Sequence, residues 1–187
     1  MDLEKAYDRI DRRALWQVLM MYGVGGRLLR GVKSFYEESK ACVRVGSEVS
    51  EWFSVRVGLR QGCVMSPWLF NLYMDGVVRE VYAGVDGVGV RLERDLVVSQ
   101  LLFADDTALV AGSEEELQRL VSEFGRVCER RKLSVNVEKS KIMMCSREGT
   151  HGELNVCLNG IRLEEVECFK YLGSTVTTTG GVDEDVR

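Results

Sequence analysis

The sequence predicts an α+β fold in which helices pack on a mainly antiparallel sheet. Four segments place apolar side chains at helical spacing next to residues that start or stop helices. Between them lie shorter segments rich in β-branched and aromatic residues, separated by turn-forming residues, which is typical of strands joined by hairpins. Each element buries one face only, so the expected arrangement is layered, with helices covering a sheet.

The first two helices have simple boundaries. Asp11 is a suitable N-cap for a helix that runs to about Tyr22, and Gly23 follows as a stop. The second helix is predicted over 27–38. We expect these side chains of the second helix to point inward: Leu28, Leu29, Val32, Phe35 and Tyr36.

Stronger capping signals open the other two helices. Ser66 is predicted as the N-cap of a helix with Pro67 at its first position, where the missing N–H of proline has no cost. Ser113 and Glu116 form a capping box before a long apolar stripe. The expected ends of these helices are Tyr82 and Arg131.

Strands are predicted in the remaining apolar segments. In one of them Phe53, Val55 and Val57 alternate with polar residues, so one face is expected to be buried. Asn159-Gly160 predicts a tight hairpin turn, and Glu93-Arg94-Asp95 predicts another. The expected strands cover 42–45, 52–57, 88–92, 96–103, 107–111, 142–145, 156–158, 161–163 and 168–172.

Composition limits the class of protein. The 187 residues suit one domain, or one domain with an incomplete neighbour, and the net charge of −4 gives no general indication of a nucleic-acid partner. The six cysteines contain no Cys-x-x-Cys pair, which argues against a zinc site and a disulfide scaffold and predicts an intracellular protein of the nucleus or cytoplasm. No signal peptide or membrane span is expected, and His151 is expected to be solvated.

The adjacent acids Asp105 and Asp106 lie between two apolar strands, at the expected tip of a hairpin. Alone, such a pair is typical of a solvated turn. Asp2 ends another strand, however, and three clustered carboxylates bind Mg²⁺ through oxygen. With a helix N-terminus at Ser66 and a lysine at Lys139, they suit a phosphate-bearing substrate. Polymerase, nuclease and cyclase all remain open on these grounds.

Five motifs in series resemble the palm motifs A to E of non-LTR (LINE-type) retrotransposon reverse transcriptases. The match spans Asp2 to Gly173, and the Phe-Ala-Asp-Asp form resembles the non-LTR and group II intron branch. The motifs are Asp2-Leu3-Glu4-Lys5-Ala6-Tyr7-Asp8, Arg60-Gln61-Gly62-Cys63-Val64-Met65-Ser66-Pro67, Phe103-Ala104-Asp105-Asp106, Lys139-Ser140-Lys141 and Phe169-Lys170-Tyr171-Leu172-Gly173.

The resemblance implies a role for each candidate residue. Asp2 and Asp105 would be the principal ligands of two Mg²⁺ ions, which Mn²⁺ can replace, with Asp106 and the Leu3 carbonyl in support. The remaining roles would be a gate under the incoming sugar (Tyr7), a nucleotide and template-base pocket (Arg60, Gln61, Gly62), a proton donor to the leaving pyrophosphate (Lys139), and a grip on the primer (Tyr171, Leu172, Gly173).

Each of these residues also has a structural interpretation. Tyr7 can be a core aromatic, Gln61-Gly62 a plain loop, and Tyr171 a sheet residue. Lys139 can lie on a solvated face. Asp8 and Asp75 are expected to be structural, with Asp8 helping to cap the turn into the first helix.

The resemblance predicts an RNA-directed DNA polymerase that uses an RNA template, a DNA primer and deoxynucleotides; the oligomeric state is left open. The palm is expected over 1–173, and 174–187 is expected to begin a connection to an absent thumb. An inactive remnant that binds nucleic acid or another partner is the first alternative, and a maturase-like splicing cofactor is the second.

The chain departs from the family at several points. Val64-Met65 replaces the usual Pro-Leu, and the fingers that normally precede Asp2 are not represented. The Met1 α-amine, expected to be mostly protonated, would compete with metal for Asp2. We therefore expect weak magnesium binding and poor polymerisation by the isolated chain.

Overall fold

The computed structural model describes residues 1–93, 96–145 and 152–179, and helices and strands alternate irregularly along them. The four predicted helices are confirmed with small shifts at their ends, and a one-turn helix that was not predicted precedes them. The helices are α1 (Ala6–Arg9), α2 (Arg12–Met21), α3 (Gly26–Glu37), α4 (Ser66–Gly84) and α5 (Glu114–Arg130).

Within the described residues, the strands are two to four residues long and pair as eight two-stranded sheets rather than one continuous sheet. Seven of the pairs are antiparallel, and one is parallel. The antiparallel pairs are β1 (Asp2–Leu3) with β10 (Val135–Asn136), β2 (Lys40–Ala41) with β5 (Phe53–Ser54), β3 (Arg44–Val45) with β4 (Glu48–Val49), β6 (Val90–Glu93) with β7 (Leu96–Val98), β8 (Gln100–Phe103) with β9 (Asp106–Leu109), β12 (Cys157–Leu158) with β13 (Ile161–Arg162), and β15 (Cys168–Tyr171) with β16 (Ser174–Thr177); the parallel pair is β11 (Lys141–Ile142) with β14 (Glu164–Glu165).

Helix α4 lies at the centre of the larger hydrophobic core. It packs against α2 and α5, and its Phe70, Tyr73 and Val77 have no exposed surface. A second cluster joins α5 to the β12–β13 hairpin through Val121, Leu158 and their neighbours. Burial of this much apolar surface is the main stabilising contribution to the fold.

The sequence-based caps are correct at two helices and displaced at a third. Asp11 accepts hydrogen bonds from the backbone N–H groups of Arg13 (2.8 Å) and Ala14 (3.4 Å), and Ser113 accepts one from Glu116 (3.2 Å). Ser66 is the first residue of α4 and makes no cap hydrogen bond, so its prediction as N-cap is wrong. Its buried hydroxyl lies instead 3.3 Å from that of Tyr36.

Two predictions of buried faces are also wrong. Leu28 and Phe35 were expected inside but are 64% and 58% exposed, because α3 buries only the narrower stripe that contains Leu29 and Val32. Phe53 is 50% exposed and lies in the small two-stranded sheet that β5 forms with β2.

Three expectations fall outside the described residues: the turn at Arg94-Asp95, the environment of His151 and the tail 180–187. In the described part of the chain, no helix combines the length and apolar character needed to cross a bilayer.

Replacement of Asp11 by alanine is expected to lower the free energy of unfolding by about 1 kcal/mol at pH 7, since it removes the cap of α2. The hydrogen bond from Lys132 (2.7 Å) and those from the backbone hold the pKa of Asp11 below its usual value. A pKa lowered in the folded state stabilises above the unfolded pKa, and this contribution disappears as the pH falls through the folded pKa.

Urea unfolding at pH 7 and at about pH 2 therefore checks the prediction, because the loss in Asp11→Ala shrinks in acid as the wild-type carboxylate is protonated. Asp11→Asn is the matched control: it keeps a capping oxygen, and it should lose less stability than Asp11→Ala at pH 7. An equal loss in Asp11→Ala at both pH values would contradict this assignment.

Candidate active site

The acid pair lies at the β8–β9 hairpin, but only one of its members is in the turn. Ala104 and Asp105 form the turn, and Asp106 is the first residue of β9, directly opposite Phe103. The prediction that both acids occupy the tip therefore holds for Asp105 alone. Ala104 has a φ of 54°, which a non-glycine side chain adopts only at some energetic cost, so the tip is a strained turn.

Backbone hydrogen bonds bring the first strand beside this hairpin. The Met1 nitrogen donates to the Thr107 carbonyl (2.6 Å), and the Thr107 N–H donates to the Met1 carbonyl (3.3 Å). On the other side of β1, Asp2 pairs with Asn136 of β10. The two segments that carry Asp2 and Asp105 are therefore neighbours, although about a hundred residues of sequence separate them.

Asp2, Leu3, Asp105 and Lys139 line one cavity of about 520 Å³. Asp106 is not among its lining residues. The structure thus brings together two of the three predicted acids and the predicted lysine. In the parts of the chain that the structure describes, no group of three or more His, Cys, Asp or Glu side chains is placed to hold a metal.

The two neighbouring acids act on different tyrosines. Burial, and secondarily the charge of Asp105, raises the pKa of Tyr7. Burial, and secondarily the charge of Asp106, raises the pKa of Tyr171. The charge of Asp105 therefore acts on Tyr7, and the charge of Asp106 acts on Tyr171 in the β15–β16 hairpin. The charges of Asp2 and Asp106 also act on the Met1 amine, but burial dominates there and lowers its pKa.

The donor set fits a hard divalent cation. The carboxylates of Asp2 and Asp105 and the backbone oxygen of Leu3 would supply oxygen ligands, which Mg²⁺ prefers, and Mg²⁺ retains several waters when few protein ligands are present. The cavity is open and polar enough for such a hydrated ion, and these are the residues that would hold it.

Ser140 fixes the position of Asp2, and the sequence did not suggest this role. Its buried hydroxyl accepts a hydrogen bond from the Asp2 N–H (3.1 Å), while its own N–H donates to the Asn136 carbonyl (2.9 Å). Lys139 lies in the same turn, and its N–H donates to the side-chain oxygen of Asn136 (3.2 Å). The only available sequence signal was the position of Ser140 between two lysines.

Tyr7 lies near Asp105. Its ring stacks on Phe70 of α4, with centroids 4.3 Å apart and planes inclined by 10°, so it is packed as well as close to Asp105. The structure therefore combines the two interpretations of Tyr7: one ring face is part of the core packing, and the side chain is still half-buried at the site.

The glycine loop is fastened to the segment that contains Tyr7. The Leu59 N–H donates to the Tyr7 carbonyl (2.8 Å), and the Gln61 amide donates to Asp8 (2.9 Å). Gly58 has a φ of 75°, and an added Cβ would lie 2.7 Å from the Asp8 carbonyl oxygen, so only glycine fits there. Asp8, expected to cap the turn into the first helix, instead holds Gln61.

Arg60 and Gly62 lie farther along this loop. The Arg60 guanidinium donates to the hydroxyl of Ser39 (3.4 Å), and Arg60 is not among the residues that line the cavity of Asp2 and Asp105. Gly62 adopts a φ of 78° and has open space around its Cα. Among the predicted nucleotide-pocket residues, Tyr7 is part of α1 and Gln61 is bonded to Asp8 of α1. Arg60 is bonded instead to Ser39, which follows α3.

Tyr171, Leu172 and Gly173 form the end of the β15–β16 hairpin. Leu172 and Gly173 have φ values of 53° and 93°, as a type I′ turn requires. Leu172 is 51% exposed, and Tyr171 is half-buried. The second strand of this hairpin, Ser174–Thr177, was not predicted, because its sequence Ser-Thr-Val-Thr contains a single apolar residue.

Comparison with known proteins identifies the family of this sequence. Residues 1–176 match the family described as reverse transcriptase (RNA-dependent DNA polymerase). The Pol polyprotein of the type-1 retrotransposable element R2 of Nasonia vitripennis is 26% identical over 100% of this chain and 19% of its own length. The RNA-directed DNA polymerase of the mobile element jockey of Drosophila melanogaster is 27% identical over 94% of the chain and 19% of its length.

A third relative, the R2 Pol polyprotein of Popillia japonica, is 22% identical over 96% of this chain and 30% of its own length. The chain therefore spans less than a third of each of these relatives. The resemblance to non-LTR retrotransposons that the five motifs indicated is confirmed. With a family match over almost its whole length, the chain belongs to the reverse transcriptase family.

Proposed function

We propose that this chain is the catalytic part of an RNA-directed DNA polymerase that transfers deoxynucleotides to a primer 3′-hydroxyl on an RNA template. The observation that supports this most directly is that Asp2, Asp105 and Lys139 line one cavity. Carboxylates that can hold divalent cations, with the Lys139 ammonium in the same cavity, suit a triphosphate substrate and the charge that develops on its leaving group. Two bound Mg²⁺ ions, or Mn²⁺ in their place, would lower the charge repulsion and polarise the reacting phosphate.

The chain's own residues have separate tasks in this proposal. Asp2 and Asp105 would hold the divalent cations that offset the charge of the triphosphate, and Lys139 protonates the leaving pyrophosphate oxygen. Tyr7, braced by Phe70, lies under the sugar and excludes a ribose 2′-hydroxyl by steric contact.

The remaining proposed tasks concern the nucleic acid. Gln61, held by Asp8, and Gly62 line the base-pair side of the site, with Arg60 beside them. Asp106 supports the principal acids from the adjacent strand position. Tyr171, Leu172 and Gly173 hold the primer backbone at the exposed hairpin end.

Primer extension tests the proposal. A DNA primer on an RNA template is incubated with Mg²⁺ and single deoxynucleotides, using this chain and a version extended upstream through the fingers that the family resemblance implies. We expect the longer version to add only the templated nucleotide and this chain to add it much more slowly. Absence of templated addition by the longer version would refute the function, and equal rates would refute the need for the extension.

The alternative is an inactive remnant that retains only binding. It is favoured by the position of Asp106 outside the cavity and by the lack, within the described ranges, of a preformed group of three metal-ligating side chains. Binding of a primer–template with no addition by either version, under conditions that support a related polymerase, would select this alternative.

A further inference from the structure

A second and larger cavity lies on the α2 and α3 side of the protein. Its volume is about 750 Å³, and it shares no lining residue with the cavity of Asp2 and Asp105. Helix α2, the end of α3, strand β2 and the segment after β5 form its walls. None of the five sequence motifs falls within this lining, so the proposed reaction does not account for it.

The cavity is rich in unpaired positive charge. Five cationic side chains line it, against the two carboxylates of Glu37 and Glu38. Within the described residues, the four cations other than Arg12 make no ion pair, whereas exposed arginines elsewhere, such as Arg79 and Arg126, are paired. The five are Arg12, Arg13, Lys33, Lys40 and Arg56. In a chain with a net charge of −4, these five residues are a local concentration of positive charge.

Arg12 joins two walls of the cavity by hydrogen bonds. Its guanidinium donates to the carbonyl oxygens of Val55 (2.8 Å), Tyr36 (3.1 Å), Gly58 (2.9 Å) and Val57 (3.2 Å). These bonds fix the end of α3 to the segment after β5. They occupy the N–H donors of Arg12, so Arg12 has a structural role in the cavity. The other four cations take no part in these bonds and can contact a ligand.

One of the free cations, Lys40, lies in a paired strand, and Arg56 lies just beyond the end of the partner strand. Lys40 is directly opposite Ser54 in the β2–β5 ladder, and Arg56 follows two residues after Ser54. Trp16 adds an aromatic side chain to the wall, edge-on to Tyr36 with ring centroids 5.7 Å apart. Cations held in a concave surface beside an aromatic ring are typical of sites for single-stranded nucleic acid, whose flexible backbone can enter where a duplex cannot.

The cavity also borders the glycine loop. Ser39, which lines the cavity, accepts the hydrogen bond from Arg60, and the charge of Arg60 acts on Arg12. A strand that passes the loop at Arg60 would therefore lie next to the Ser39 wall of the cavity.

We infer that this cavity binds the phosphate backbone of single-stranded nucleic acid and continues the path of the strand that passes Arg60. The inference rests on the proposed function only for the identity of that strand as the template. Binding itself needs no metal, nucleotide or intact acid pair, so it can be measured separately from catalysis.

The test uses fluorescence anisotropy of a labelled 20-nucleotide single-stranded RNA with the full chain, without Mg²⁺ or nucleotides, over a range of salt. Lys40→Gln/Arg56→Gln is compared with Arg91→Gln/Arg119→Gln, which removes the same charge from exposed residues outside the cavity. Two lost phosphate contacts should weaken binding about 20-fold at about 0.1 M salt and reduce the salt slope by about 1.4.

Glu37→Gln/Glu38→Gln removes the opposing charge and should tighten binding. Equal weakening in the cavity and control variants would overturn the inference, because binding would then follow total charge. A cavity-dependent affinity that is higher for duplex DNA or for heparin would overturn the assignment to single-stranded nucleic acid. Cavity-dependent RNA binding together with a failed extension assay would uphold the inference and refute only the proposed catalysis.

Discussion

Asparagine in place of Asp105 is expected to reduce templated nucleotide addition by about 1,000-fold, which corresponds to about 4 kcal/mol of lost transition-state stabilisation. The amide keeps the shape of the side chain but removes its charge and weakens it as a ligand for Mg²⁺. Asp105 is exposed in the turn between β8 and β9, so the fold should be unaffected. Single-turnover primer extension by the version extended upstream measures the rate.

Asp75→Asn is the matched control, because Asp75 is a carboxylate on the exposed face of α4 that pairs only with Arg79 at the surface. It should retain full activity. A second measurement separates metal binding from chemistry: Mg²⁺ should raise the melting temperature of the wild type and of Asp75→Asn but not that of Asp105→Asn. Wild-type rates in Asp105→Asn would remove this residue from the site.

Truncation of Phe70 to alanine is expected to lower the free energy of unfolding by about 3–5 kcal/mol, because the side chain is fully buried and leaves a cavity in the α4 core. It also removes the ring on which Tyr7 stacks at 4.3 Å. Activity should therefore fall even at temperatures where the variant remains folded, and selection against ribonucleotides should weaken as the tyrosine loses its support.

Trp68→Ala provides the comparison on the same helix, since Trp68 is 72% exposed and should change stability by about 0.5 kcal/mol or less. Urea unfolding of both variants and the ratio of deoxynucleotide to ribonucleotide addition check the two effects. Equal destabilisation in the two variants would mean that α4 is not packed as described. A stable Phe70→Ala variant with unchanged sugar selection would mean that Tyr7 does not depend on its neighbour.

Features set by local chemistry could be predicted from the sequence. Asp11 and Ser113 cap their helices because the partners are N–H groups within three residues, and Asn159-Gly160 forms its hairpin because both residues tolerate positive φ. The limits of α5 followed from its cap and from apolar spacing, whereas α4 begins at Ser66 without the predicted cap and ends two residues beyond the predicted Tyr82.

Features set by distant partners could not be predicted. Strands of two to four residues carry little pattern, so neither the parallel pairing of β11 with β14 nor the separation into small sheets was visible. At the site, the order of the motifs supplied the candidate residues, but not that Ser140 anchors Asp2 or that Asp8 holds Gln61. Those contacts depend on how distant segments meet, which one sequence does not encode locally.

The pairing of β1 with β10 also determines when the site forms during folding. Asp2 and its hydrogen-bond partner Ser140 are 138 positions apart, so their contact requires closure of most of the chain. Loops of that length close late, after local helices and hairpins have formed. We therefore expect β1 to be among the last elements to assemble and the first to detach, so substitutions in β1 should accelerate unfolding while leaving the folding rate nearly unchanged.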